Sequence, residues 1–170
     1  FRNKGFRRFG FHGINHQHVS ETVAAQWRGQ GKDPSQLRLI SAHLGAGASL
    51  AAVRGGRCID TTMGYTPLEG LVMATRSGNV DPGLLLELMR EGYSEDQIAT
   101  ILQKESGLKG LSGLSGDMRT IREAAASGHN GAIRALDVFR HRLLQLLGSM
   151  DASLGGVNVL ALTGGIGEHD

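Results

Sequence analysis

A chain of 170 residues, 40% of them apolar, is long enough to bury a real core and too apolar to stay disordered. Its 18 basic and 16 acidic residues leave a net charge of +2, too balanced for a protein that holds nucleic acid through its overall field. No stretch approaches the roughly 20 apolar residues of a membrane span, no signal peptide is visible, and Cys58, the only cysteine, excludes an internal disulfide and points to a cytoplasmic setting.

Glycine is the outlier, with 26 residues against a usual share of roughly 7%. There is no Gly-X-Y period, and the glycines fall between apolar segments, as in a backbone that wraps a ligand. The chain opens on Phe1 rather than methionine and stops at Asp170, soon after an apolar strand has entered a glycine loop. A piece of a longer protein is expected.

In chain order, residues 14–30 read as a helix, with Val19, Val23 and Trp27 four apart and Gly29 and Gly31 ending the pattern. Leu37 to Leu44 is an apolar strand. Ser49 to Val53 and Arg57 to Thr62 are two more, joined by the hairpin signal Arg54-Gly55-Gly56-Arg57. Asp81-Pro82 starts a helix to about Arg90, and Ser94-Glu95-Asp96-Gln97 is a capping box for the next. Gly107 to Gly116 reads as a glycine-rich loop, followed by a helix from Asp117 to about Ala126. Ile133, Leu136, Phe139, Leu143, Leu146, Leu147, Met150 and Leu154 mark the core face of a long helix. Val157 to Leu162 is a buried-type strand, with Gly164, Gly165 and Gly167 looping after it.

Four clusters could carry chemistry. In Arg7-Arg8-Phe9-Gly10-Phe11-His12-Gly13-Ile14-Asn15-His16, two histidines four apart could share a helix face and bind a metal, but no HExxH glutamate and no third ligand accompany them. A histidine that hydrogen-bonds an anion at the helix entry, or one simply packed and satisfied, remains open. His43-Leu44-Gly45-Ala46-Gly47-Ala48-Ser49 invites a dinucleotide reading, yet a second strand follows where that motif needs a helix. A glycine turn between antiparallel strands can instead cradle phosphates. Arg76, in Thr75-Arg76-Ser77-Gly78, is either an exposed arginine or a stabiliser of charge on a transferring phosphoryl group. Ser115-Gly116-Asp117-Met118-Arg119 and Thr163-Gly164-Gly165-Ile166-Gly167-Glu168 could lie against a nucleoside, and Asp117 equally reads as a plain N-cap.

Taken together and in this order, the motifs RRFGFHG, HLGAGAS, DTTMGYTPLEGLVMATRSGNVDP, SGL, SGDMR and TGGIGE resemble the acetate kinase family over nearly the whole chain. The resemblance implies an α/β, ribonuclease-H-like fold of the actin, Hsp70 and sugar kinase superfamily, a mixed sheet with flanking helices, and mostly the C-terminal, nucleotide-binding domain. It also implies phosphoryl transfer between ATP and acetate, or propionate or butyrate, giving ADP and an acyl phosphate with Mg2+, in a cytoplasmic homodimer. His12 and Arg76 then match the transition-state-stabilising pair. His43, Leu44, Gly45, Ala46 and Gly47 match the phosphate loop. Asp117, Met118 and Arg119 match the adenosine-contacting segment, and Gly165, Ile166, Gly167, Glu168 and His169 the second nucleotide loop. The sequence departs from the family pattern at Ala46, where asparagine is usual, at Ile14 and Asn15 in FHGINH, and at His169. The family's catalytic aspartate, acyl-site arginine and magnesium ligands are expected outside residues 1–170, so the isolated chain is expected to be inactive, and with Ala46 a non-catalytic ATP-binding remnant is the alternative reading.

Overall fold

The computed structural model describes residues 2–169. They divide into two compact units, one formed by the residues up to Pro67 together with those from Leu143 onward, the other by Leu68–Arg142.

The first unit is built on a sheet. Strands β1 (Arg38–Leu44), β2 (Ala48–Arg54) and β3 (Arg57–Thr61) form an antiparallel meander, and β4 (Val159–Thr163) adds to β1 in parallel, giving the order β3-β2-β1-β4. The hairpin expected at Gly55-Gly56 closes β2 on β3 with Arg54 opposite Arg57. No helix starts near Gly47, so the dinucleotide reading is overturned: β1 turns back as an antiparallel strand instead of feeding a βαβ crossover.

Alternation along β1 decides which side chains meet α1 (Gly13–Gly29). Leu37, Leu39, Ala51 and Val53 point to one face and pack with Val19, while Val23, Ala24, Trp27, Val159 and Ala161 close the edges of that cluster. Burial of each large side chain there contributes about 1.5–3 kcal/mol. On β4 the pattern differs from the expected buried strand. Burial alternates along it, and Leu160 and Leu162 remain nearly half exposed on the face away from α1.

The second unit contains α2 (Pro82–Arg90), α3 (Glu95–Thr100), α4 (Gly107–Ser112) and α5 (Met118–Ala126). The Asp81 cap and the Ser94/Gln97 capping box form as expected. The long helix α6 (Asn130–Leu154) begins in this unit and ends in the first. Its expected apolar face is corrected at Ile133, which is exposed; Ala132 and Ala135 are buried in its place, with Phe139, Met150 and Leu154.

Two further corrections concern glycine. Residues 107–112 are helical, not loop, because tertiary partners satisfy the helix start: Leu108 N–H donates to Met73 O at 2.8 Å and Lys109 N–H to Ala74 O at 3.0 Å. Likewise Gly164–His169 forms a short helix, α7, where a loop was expected. No local pattern announces the π-helical turn at Ile101–Glu105. Its carbonyls face another segment: Leu102 O accepts from Ser77 N–H at 2.9 Å, and Gln103 O from the Thr75 hydroxyl at 2.8 Å.

Gly107 has φ +63°, and a Cβ there would collide with the Met73 carbonyl. Gly128 has φ +84° with open space around it. Urea unfolding should therefore show Gly107→Ala losing about 2–5 kcal/mol, from backbone strain plus overpacking, while Gly128→Ala loses about 1–2 from strain alone. Equal losses would mean that the close approach at Gly107 does not limit stability.

Candidate functional site

The segment before α1 is pinned along the end of β3. Arg8 donates to the carbonyls of Thr61 (3.1 Å) and Thr62 (3.2 Å), Phe9 N–H donates to Gly64 O at 2.9 Å, and the Phe6 and Phe9 rings lie against Tyr65. This docking delivers His12 to the helix entry. There it adopts φ 59°, ψ 27°, the only left-handed non-glycine residue among those described, a conformation costing on the order of 1–3 kcal/mol. Its carbonyl accepts the first helical bond, from His16 N–H.

Three strands present a polar row under that helix entry. Cross-strand register sets Ser49 and Thr163 on either side of His43. His12 Nδ1 lies 2.9 Å from Ser49 Oγ, and the His12 and His43 ring centroids are 4.3 Å apart. His16 contacts Ser49 Oγ through Nε2 and Ser41 Oγ through Nδ1, both at 2.8 Å. Asn15, one of the departures from the family pattern, accepts from the Thr163 hydroxyl at 3.0 Å, whereas Ile14 points to solvent. With both ring nitrogens held by serines, His16 is not available as a metal ligand, and the His12/His16 chelate is ruled out on geometry. Among the described residues, His43 Nδ1 is a buried nitrogen without a hydrogen-bond partner.

The β1–β2 turn is Gly45-Ala46-Gly47. Gly45 N–H donates to Gly47 O at 3.1 Å, so that donor is spent inside the turn and not on a ligand. Ala46 is exposed at its tip. Against Leu44 and Gly45 sits Gly164, at φ +83°, where a Cβ would lie 2.5 Å from Leu44 O. Only glycine permits this approach, and it brings the start of α7, hence Gly165, Ile166 and Gly167, beside the first glycine turn. The two expected nucleotide loops of this unit are thus neighbours. A cavity of about 510 Å³ in the same unit is lined among others by Phe9, Phe11, His16, Glu21, Ala51 and Cys58; none of the expected phosphate-loop residues lines it.

Arg76 and Asp117 belong to the second unit. Arg76 is half-buried, its Nη1 lies 3.7 Å from Met73 Sδ, and its backbone carbonyl accepts from Met73 N–H. Glycines 78, 107 and 116 each press against carbonyls of the 70–76 backbone, so here glycine serves chain-to-chain packing and not ligand wrapping. The result is an arginine on a stiff loop. Asp117 caps α5, and the Thr120 backbone N–H, ahead of the Thr120 hydroxyl and Arg119, holds its carboxyl below the usual range. Met118 is buried, while Arg119 is exposed. Sequence reasoning missed Ser41 and Ser49 as partners of the histidines. The signal was present, since Ser41 and His43 are two apart on one strand and Ser49 is two before Ala51 on the next.

Burial holds the His16 imidazole down to about 4, and repulsion from His12 and then His43 adds to the effect. The folded value lies below the ordinary 6.5, so the unfolded chain binds the extra proton between them. Stability from this group is complete above pH 6.5 and is lost as pH falls through 4. Urea unfolding at graded pH should show a loss on the order of 2–3 kcal/mol across that window, and His16→Gln should flatten it. An unchanged slope in the variant would assign the acid sensitivity to other groups.

The model of the Acetokinase family matches residues 1–170. An acetate kinase of Acaryochloris marina is 55% identical over 169 residues, 99% of this chain and 41% of its own length. The crystal structure of Porphyromonas gingivalis acetate kinase superposes with a TM-score of 0.91 at 43% identity, covering 98% of this chain and 41% of that one. A propionate kinase from Francisella tularensis superposes at 0.89 with 39% identity, over 98% and 42%. The chain spans about two-fifths of the length of these relatives, and the fold is the one the sequence resemblance implied.

Proposed function

The chain belongs to the acetokinase family, and on that premise we propose that the protein containing it transfers a phosphoryl group between ATP and acetate, forming ADP and acetyl phosphate. This chain would be mostly part of the C-terminal, nucleotide-binding domain. The observation that carries the reading is the meeting of His12, His43 and Ser49 beside a glycine turn that Gly164 approaches to backbone contact. Propionate is the second reading for the acid, favoured by the likeness to the Francisella tularensis propionate kinase. Comparing kcat/KM for the two acids in the parent protein decides between them. A cytoplasmic homodimer is the assembly we propose with this reading, on the family resemblance.

Phosphoryl transfer runs through a loose transition state with charge spread over the equatorial oxygens, so catalysis is mostly positioning and electrostatic stabilisation. Arg76 would offer a planar, permanently charged fork to two such oxygens. His12 would add one hydrogen bond from its imidazole. Backbone N–H groups at the tip of the 45–47 turn and the start of α7 would hold nucleotide phosphates, and residues 117–119 the adenosine side. Magnesium, which the family implies, would neutralise phosphate charge when bound. Among the described residues no three His, Cys, Asp or Glu side chains cluster, and the protein ligands of the metal are expected outside residues 1–170.

In the parent protein, Arg76→Ala should lower kcat by roughly two to three decades with little change in KM for ATP. Lysine should rescue poorly, because a point charge cannot form two parallel hydrogen bonds. His12→Ala should lose less, a hydrogen bond and not a fixed charge being removed. Near-normal turnover in Arg76→Ala, or a change confined to ATP binding, would remove Arg76 from the transition state.

A further inference from the structure

We propose that Ser41, His16 and Ser49 are positioning residues that fix neutral His12 in the tautomer carrying its proton on Nε2. Each buried proton in this cluster must find an acceptor. Ser41 is fully buried, and among the described residues its hydroxyl has one hydrogen-bond partner, His16 Nδ1 at 2.8 Å. Ser49 is also fully buried, and its hydroxyl touches His16 Nε2 at 2.8 Å and His12 Nδ1 at 2.9 Å. Each hydroxyl owns a single proton, and neutral His16 owns one on its ring.

One arrangement leaves no buried proton without an acceptor. The Ser41 hydroxyl donates to His16 Nδ1, because nothing else is there to receive its proton. His16 therefore carries its own proton on Nε2 and donates it to Ser49 Oγ. The Ser49 proton is then directed to His12 Nδ1, which must be bare. His12 is left with its proton on Nε2, the nitrogen that Ser49 does not occupy. In the reverse chain, His12 Nδ1–H donates to Ser49, Ser49 to His16 Nε2 and His16 Nδ1–H to Ser41, and the Ser41 proton is stranded in the core. A third arrangement, with both rings donating to Ser49, strands the Ser49 proton. A stranded buried donor is costly, whereas the forward chain is fully paired.

The chain thus makes His12 a donor on Nε2 without requiring it to be charged, which is what a residue bonding to phosphoryl oxygens needs. That consequence rests on the role proposed for His12; the proton assignment does not. The test is long-range 1H–15N correlation on histidine-labelled parent protein at pH 7–8 (a range set about one unit above the ordinary histidine value), combined with steady-state kinetics of Ser49→Ala. In the unsubstituted protein, His12 and His16 should each show one tautomer, with a bare Nδ1 and a protonated Nε2. In Ser49→Ala, His12 should show both tautomers, and kcat should fall about threefold to tenfold, the worth of one hydrogen bond, with KM for ATP unchanged. A proton on Nδ1 of His12 or His16, or a mixture in the unsubstituted protein, overturns the relay whatever the variant does. The expected tautomers together with unchanged turnover in Ser49→Ala uphold the relay and overturn the role given to His12.

Discussion

Strand β1 has a neighbour on each side and a helix over one face, and its two-residue alternation governs everything the first unit does. On that face Leu37 and Leu39 come first and bind α1 by apolar burial. Two and four residues on, the same face carries Ser41 and His43. The face that seats the helix is thus the face that carries the polar row, and the strand cannot shift by one residue without exposing the leucines and burying the wrong side chains. Pairing then extends the row sideways, with Ser49 from β2 and Thr163 from β4 opposite His43. The first turn of α1 lowers His12, Asn15 and His16 onto that row, and each finds a hydroxyl. Helix packing and site geometry are one constraint in this unit.

The second unit reaches rigidity by another route. The loop bearing Arg76 has no strand to hold it, so its backbone is fastened group by group. Ser77 N–H and the Thr75 hydroxyl take carbonyls from the π-helical turn, and the Thr75 carbonyl receives Ser106 N–H. Carbonyls released from ordinary helical bonding are put to use as acceptors for a neighbouring segment. Glycines 107 and 116 then allow backbone to approach backbone on the other side. An arginine side chain has long, freely rotating bonds, and ordering it costs conformational entropy. Fixing the loop beneath it limits that cost to the side chain alone.

The strands, the hairpin, the helix caps and the amphipathic α1 were legible in the sequence because each is written locally: alternation, a Gly-Gly turn, Asp-Pro, Ser-x-x-Gln. What was not legible depended on distant partners. Gly107–Ser112 is helical because the carbonyls of residues 73 and 74 cap it, and nothing within residues 107–116 announces them. The apolar run at Leu160–Leu162 reads as fully buried, yet β4 covers only one face with α1. At the site, His12 and His43 meet beside Ser49, and Gly164 approaches Leu44 and Gly45. The histidines' hydroxyl partners are written only as a two-residue spacing, which puts Ser41 on the face of His43 and leaves open, until the register is known, that Ser49 stands opposite.

The polar row also has a thermodynamic meaning. Two buried serines and a buried histidine in the place of apolar side chains weaken the core, and a network of this kind is tolerable only when every member is paired. Along Ser41, His16, Ser49 and His12 the pairing is complete in one direction of proton donation alone, so the requirement that makes these buried groups tolerable also orders their protons. Apolar substitutes at Ser41 and His16 could pack as well and be neutral for stability. They would leave Ser49 free to turn its proton either way and His12 free to take either tautomer. The cost of keeping the row polar is therefore best understood as the cost of a directed hydrogen bond at His12, delivered through three residues that need never touch a ligand.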